Sequence, residues 1–315
     1  MRGLLMNILS IIKLLMISMM SVFLYCVYIK LFKKASQTER EEGLRSHKEK
    51  NGTITMGGII FLVLPLFFIE YSFNTLMIII ATIGFGILGF IDDLLIVIFK
   101  KNDGLSPIVK IIAEIIIAGS VFLLYLLNGN PTIINLFGFR LDLKWLFGLL
   151  LLGILVSSGN AWNLVDGVDG LCSGCSLIFG VGLMVLAYKY EKYDILYLLA
   201  CYQICLFVFW CFNLPKAFLF MGDVGALGLG AFYAIVSINL SDIFIFLIMA
   251  GLFIFETLSV IIQVIYYKKT KGKRIFKMAP FHHHLEACGL REIYVDIVFY
   301  IIQVILVFSG VVISF

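Results

Sequence analysis

Charge is what this chain has least of. Charged side chains make up 14% of its 315 residues, with a mean hydropathy of +1.06, where a soluble domain carries roughly 25%. No stretch is polar enough to fold as a separate soluble domain, so residues 1–315 read as one domain, and no internal repeat divides it. The alternating ~10-residue segments of a transmembrane barrel are missing. No small-residue cleavage site follows the first apolar run, 8–29, which is also too long for a signal-peptide core and reads as a first membrane span. The cysteines number seven, lie mainly inside apolar runs, and suggest neither a zinc site nor a disulfide framework. Histidine is rare too, at four residues, yet three stand together as His282, His283 and His284.

What the chain does have is apolar runs of about 18 residues or more, recurring from end to end, the signature of a polytopic all-α membrane protein. Ten spans are expected, at roughly 8–29, 56–70, 75–95, 107–127, 145–164, 170–188, 194–212, 221–240, 243–266 and 293–314. The second is short unless it includes the approach from Thr53 to Gly58. On this count all but six of the 24 lysines and arginines fall in loops on one side or at its edge; the six are Arg2, Lys13, Arg140, Lys144, Lys189 and Lys192. The basic side is cytoplasmic by the positive-inside rule, and an even number of spans leaves both termini outside. Between the fourth and fifth spans, TIINLFGFRLDL suits a small β-hairpin on the outer side. Lys33, Lys34 and Arg45 serve topology and anionic headgroups in the plain reading, and gather an anionic substrate in the other.

Acids are tolerated at the ends of apolar spans only where water, a partner or a metal meets them. Three such groups stand out: Asp92 and Asp93 in GILGFIDDLL, Asp166 and Asp169 in NAWNLVDGVDGL, and Asp223 in FLFMGDVGALGLG. The span count brings all three, together with the histidine cluster, to the cytoplasmic side. Adjacent aspartates at one helix end call for a cation, and Mg²⁺ takes oxygen ligands from one or two carboxylates plus substrate phosphates. The glycines of DGVDG and MGDVG allow sharp turns and offer helix N-terminal amides to phosphate. The imidazoles, flanked by Lys273, Arg274 and Lys277, can bind anions, donate protons or ligate metal. Glu114 and Glu256 fall inside spans, where functional pairing and plain helix–helix hydrogen bonding are equally open.

In order and spacing, KNGTITMGG, GILGFIDD, NDGLSPIVK, NAWNLVDGVDG, FMGDVGALGLG and KRIFKMAPFHHHLE resemble the polyprenyl-phosphate N-acetylhexosamine-1-phosphate transferases. The PFHHHLE segment resembles the branch acting on UDP-MurNAc-pentapeptide. The likeness runs from Ser46 to about Glu292 and includes the last span. It implies transfer of phospho-MurNAc-pentapeptide from its UDP donor to undecaprenyl phosphate, giving lipid I and UMP. It further implies Mg²⁺, a homodimer, and a site facing the cytoplasm from the bilayer of a bacterial plasma membrane; no nucleic acid is expected as a partner. By the same resemblance Asp92 and Asp93 are the family's aspartate pair, Asp92 being the candidate base for the lipid phosphate. Asp223 is the Mg²⁺ ligand, and Asn163 and Asp166 lie near metal and diphosphate. Lys50, Gly167, Asp169, Asn213 and Phe220 line the nucleoside pocket, Phe220 stacking on uracil, and His282, His283 and His284 serve the diphosphate and sugar. Direct attack by the lipid phosphate is favoured over a covalent phospho-sugar intermediate, which the residues leave open.

The chain departs from the family pattern in places. Ile54 stands for a proline, and Leu94 and Ile96 alter the run after the aspartate pair. The lysine expected at 96 is therefore missing, with Lys100 or Lys101 as candidate substitutes. Val165 and Ala226 replace hydroxyl residues, and Leu290 replaces a tryptophan. The acids, Asn163, Asn213 and the histidines are intact, so an active enzyme is expected. Two rival readings are a UDP-GlcNAc-dependent GlcNAc-1-phosphate transferase and a cation-coupled transporter. The histidine triplet argues against the first; the second needs acids near mid-bilayer on broken helices.

Overall fold

The computed structural model describes residues 8–32, 53–99, 104–136, 139–240 and 243–315. Lys50, expected in the nucleoside pocket, lies outside the described residues, as do Lys33, Lys34, Arg45, Lys100 and Lys101. The helices are α1 (Ile8–Leu31), α2 (Gly58–Val63, continued by a 3-10 turn Leu64–Phe67), α3 (Phe73–Phe99), α4 (Pro107–Leu127), α5 (Leu146–Val165), α6 (Leu171–Lys189) and α7 (Tyr193–Asn213). They continue with α8 (Gly222–Asn239), α9 (Ile243–Met249), α10 (Gly251–Lys269), α11 (Phe281–Ala287) and α12 (Glu292–Ser314). Nine helices among the described residues are long and apolar enough to cross a membrane, so the chain is an all-α polytopic membrane protein. The expected hairpin forms as β1 (Ile133–Leu136) and β2 (Phe139–Asp142), antiparallel with Ile133 opposite Asp142. Beside it, the Thr132 hydroxyl donates to Asp142 Oδ1 at 2.6 Å, and this bond holds the Asp142 carboxyl below its ordinary pKa.

Two expected spans take a different form. In the second, Pro65, which has no amide hydrogen, sits where the helix tightens into its 3-10 turn, and the helical part ends at Phe67. Its approach is extended: Ile54 bridges Leu219, the Phe220 amide donates to Ile54 O at 2.8 Å, and the Gly57 amide donates to Phe220 O at 2.9 Å. The segment nevertheless runs the length of the bundle. Gly57 lies at the head of α8, whereas the Ser72 hydroxyl donates to Asp194 in the first turn of α7, at the opposite end. The expected ninth span, 243–266, bends at Ala250–Gly251 into α9, packed on α12, and α10, packed mainly on α5. Gly251, the weakest helix former of that run, abuts Leu306 of α12.

The core is organised around α8, where 89% of an 18-residue window is buried. Its GDVGALGLGA sequence supplies small residues on which α3 and α5 pack closely. Because successive long helices alternate in direction, the C-terminal ends of α3, α5 and α7 gather with the N-terminal ends of α4, α6 and α8. Every acidic motif singled out above is at that end. The hairpin is at the other.

Candidate active site

Asp223 stands in the first turn of α8, where the positive end of the helix dipole favours an anion. Lys110 Nζ donates to Asp223 Oδ2 at 2.8 Å and lies 3.7 Å from Asp92 Oδ2. Asn163, near the end of α5, also hydrogen-bonds the Asp223 carboxylate. Asp92 is oriented from its other oxygen by the Leu105 amide at 2.6 Å, just ahead of α4. Asp93 points the opposite way, into the protein, where its Oδ2 accepts from the Val224 amide at 3.0 Å. That bond ties α3 to the start of α8, and Gly222, at φ +74° with no room for a Cβ beside Asp93, permits the approach. Asp93 Oδ1 is buried and has no hydrogen-bond partner among the described residues.

Asp166 follows directly on α5 as its C-cap. Burial, and then the negative charges of Asp223, Asp93 and Asp169, raise its pKa well above the ordinary carboxylate range. The next residue, Gly167, meets the histidine segment: a Cβ there would lie 2.5 Å from His282 Nε2 and 3.0 Å from His283 Nε2. His282 is fully buried, and its ring lies 4.2 Å, centroid to centroid, from that of His283. His283 Nδ1 is 2.7 Å from Glu286 Oε2. His284 is occupied elsewhere: its Nδ1 accepts from the Lys277 amide at 3.1 Å, and its ring packs against Phe276 and Phe281.

Other expected pocket residues frame the turn. Asn213 Oδ1 accepts from the Gly170 amide at 3.1 Å and the Ser173 hydroxyl at 2.8 Å, while its Nδ2 donates to Leu219 O at 3.0 Å. Asp169 Oδ2 accepts from the Ala217 amide at 2.9 Å. The two side chains therefore lock the DGVDG turn to the chain between α7 and α8. Phe220, half-buried, is fixed through its backbone to Ile54 and Gly57. The Tyr300 hydroxyl of α12 donates to Gly170 O at 2.7 Å and accepts from Trp210 Nε1 at 3.1 Å, bracing the turn from behind.

The arrangement is thus a carboxylate cluster around one lysine, Asp92, Asp223 and Asn163, continued through Asp166 and Gly167 to two imidazoles. A family model described as Glycosyl transferase family 4 matches residues 75–241. Over 305 residues the chain is 38% identical to the phospho-N-acetylmuramoyl-pentapeptide-transferase of Bacillus licheniformis, covering 93% of this chain and 94% of that protein. Its counterparts in Bacillus subtilis strain 168 (38% over 288 residues, 88% of this chain and 89% of that protein) and Enterococcus hirae (37% over 282 residues, 87% and 88%) are similar. The chain belongs to the phospho-N-acetylmuramoyl-pentapeptide-transferase family. The resemblance read from its motifs is therefore correct at the level of the branch, and neither rival reading is favoured.

Within this family member, the sequence reading did not single out Lys110. It counted this lysine only among the basic residues setting topology, and looked to Lys100 and Lys101 to replace the one missing at 96. A signal was present: Ser106 caps α4 and Pro107 opens it, so Lys110 is a cation in a first helical turn. That position is unfavourable unless an anion meets it. The residues also suit a magnesium ion. Asp92 and Asp223 meet at a single ammonium group, Asp166 feels the negative charges of Asp223 and Asp93, and one buried Asp93 oxygen is unpartnered among the described residues. Among the described residues no three carboxylate, thiol or imidazole groups converge as a ligand set.

Proposed function

We propose that the protein transfers phospho-MurNAc-pentapeptide from UDP to undecaprenyl phosphate, making lipid I and UMP, at the cytoplasmic face of a bacterial inner membrane. The observation that carries this reading is the junction at Gly167, where the turn that begins at Asp166 abuts His282 Nε2 and His283 Nε2. Phosphoryl transfer between two anions needs positioning and charge neutralisation above all. Lys110 supplies one fixed cation. His282 and His283 offer ring nitrogens beside the turn that would take the diphosphate, and Asp92, held by Leu105, takes the proton of the lipid phosphate. Asp223, with Asp92 next to it, would hold Mg²⁺, which when bound neutralises the diphosphate and stabilises departing UMP. The Gly170–Asn213–Tyr300 frame keeps the donor-binding turn from moving as charge shifts. The placement of most basic residues at the site end supports the cytoplasmic assignment.

The test is UMP release by purified protein in detergent with Mg²⁺, undecaprenyl phosphate and one UDP-sugar at a time. Release with UDP-MurNAc-pentapeptide and not with UDP-GlcNAc is expected. The reverse result would overturn the substrate assignment, and release with neither would overturn the enzymatic one.

A further inference from the structure

Glu256 is a fully buried carboxylate in the second turn of the membrane-spanning helix α10, and burying such a charge is costly unless it is met by donors. The donors come from the histidine segment. Glu256 Oε2 accepts from the Phe281 amide at 2.7 Å and Oε1 from the His282 amide at 3.2 Å, so one side chain of α10 takes two of the orphan amides that open α11. The same Oε2 lies 3.3 Å from His282 Nδ1. Seven residues along, on the same face of α10, Gln263 grips the other end of the segment. Its Oε1 accepts from the Ile275 and Phe276 amides, at 3.0 Å each, and its Nε2 donates to Phe276 O at 2.9 Å. The stretch from Ile275 to His282 is thus suspended from α10 at two points.

Neither ring nitrogen of His282 makes a hydrogen bond of good geometry among the described residues, although the ring is entirely enclosed. With Nδ1 turned to the Glu256 carboxylate, Nε2 is left facing Gly167 and the donor-binding turn. A buried imidazole with one ring nitrogen turned to a carboxylate has its orientation set by that carboxylate. Resting on the reading of the histidines given above, we propose that Glu256 is a positioning residue that aims His282 Nε2 at the diphosphate of the nucleotide donor. Its backbone bonds set where α11 begins, and its contact with Nδ1 sets the rotation of the ring. The part that this ring contact plays in turnover therefore runs through His282.

A double-mutant cycle reads this directly. Glu256→Gln, His282→Ala and the double variant are compared for UMP release at saturating UDP-MurNAc-pentapeptide, with the Tm of each recorded. Glu256→Gln should lower kcat between about tenfold and about a hundredfold, the range expected when a reacting group is displaced by about an ångström. The double variant should then be no slower than His282→Ala. Losses that multiply in the double variant, or a Glu256→Gln enzyme as fast as wild type, overturn the positioning role and leave the function reading intact. A His282→Ala enzyme at wild-type rate overturns the histidine reading and this proposal together. Should Glu256→Gln not accumulate as folded protein, Glu256→Asp, a carboxylate one methylene shorter, carries the same cycle.

Discussion

At the scale of single residues, Gly167 is the position where the two halves of the site touch. Its backbone is not in the left-handed region, so alanine is conformationally acceptable, and the obstacle is the pair of imidazole nitrogens that the new methyl would meet. Gly167→Ala should therefore push His282 and His283 away from the DGVDG turn and, on the proposed function, slow turnover by about a hundredfold. Its Tm should fall as well, by a few degrees, because the displaced His282 ring is fully buried and its segment is held by Glu256. UMP release and thermal unfolding on one preparation check both, and near wild-type rates would separate the imidazoles from the chemistry. Sequence alone found the right residue types here because carboxylates and imidazoles are conspicuous in so apolar a chain. It did not tell apart the histidines, which stand consecutively yet point in different directions around a short helix: His284 packs among Phe276 and Phe281, while His282 faces Gly167. It set Asp92 apart from Asp93 only through the resemblance, as the candidate base; their different surroundings come from adjacent helix positions about 100° apart, one facing Lys110 and one the head of α8.

At the scale of elements, the head of α8 is where this difference has a measurable consequence. Asp93 is the cap of that helix in function, reaching across from α3 to the Val224 amide, while Asp223 belongs to the lysine cluster. Asp93→Ala should cost about 1 kcal/mol, as loss of a helix cap does, lowering Tm together with activity. Asp223→Ala should abolish turnover with the fold retained, because its partner Lys110 stays partly open to water. Parallel denaturation and UMP-release measurements on the two variants check the contrast; equal Tm values for both would refute the capping role of Asp93. The long helices were legible because eighteen or more apolar residues in a row have few alternatives, and the hairpin because its alternation is interrupted at Phe137-Gly138. Two breaks were not. Residues 54–57 leave the helical pattern to pair with 219–221, a contact between segments more than 160 positions apart. The bend at Ala250–Gly251 sends α9 and α10 to different neighbours, α12 and α5, that no local pattern identifies.

At the scale of the whole molecule, charge and chemistry share one end. Among the described residues, Arg140, Lys144, Lys189 and Lys192 stand at the hairpin end. Lys30, Lys110, Lys216, Arg291 and the run from Lys268 to Lys277 stand at the site end. Basic residues near span ends are retained in the cytoplasm, so the site should be reachable only from inside the cell, where a UDP-linked donor is made. Native Cys288 offers a probe. It is exposed, follows α11 directly and lies 3.8 Å from His284, whereas the other exposed cysteines, Cys26 and Cys211, are inside the spanning helices α1 and α7. A membrane-impermeant maleimide should label Cys288 in inside-out vesicles and spare it in right-side-out ones, with Cys288→Ser as the blank. Arg140→Cys, in the hairpin, should add labelling of the opposite sidedness in that Cys288→Ser background. Labelling of Cys288 from the outer face would reverse the orientation, and with it the assignment of the active site to the cytoplasm.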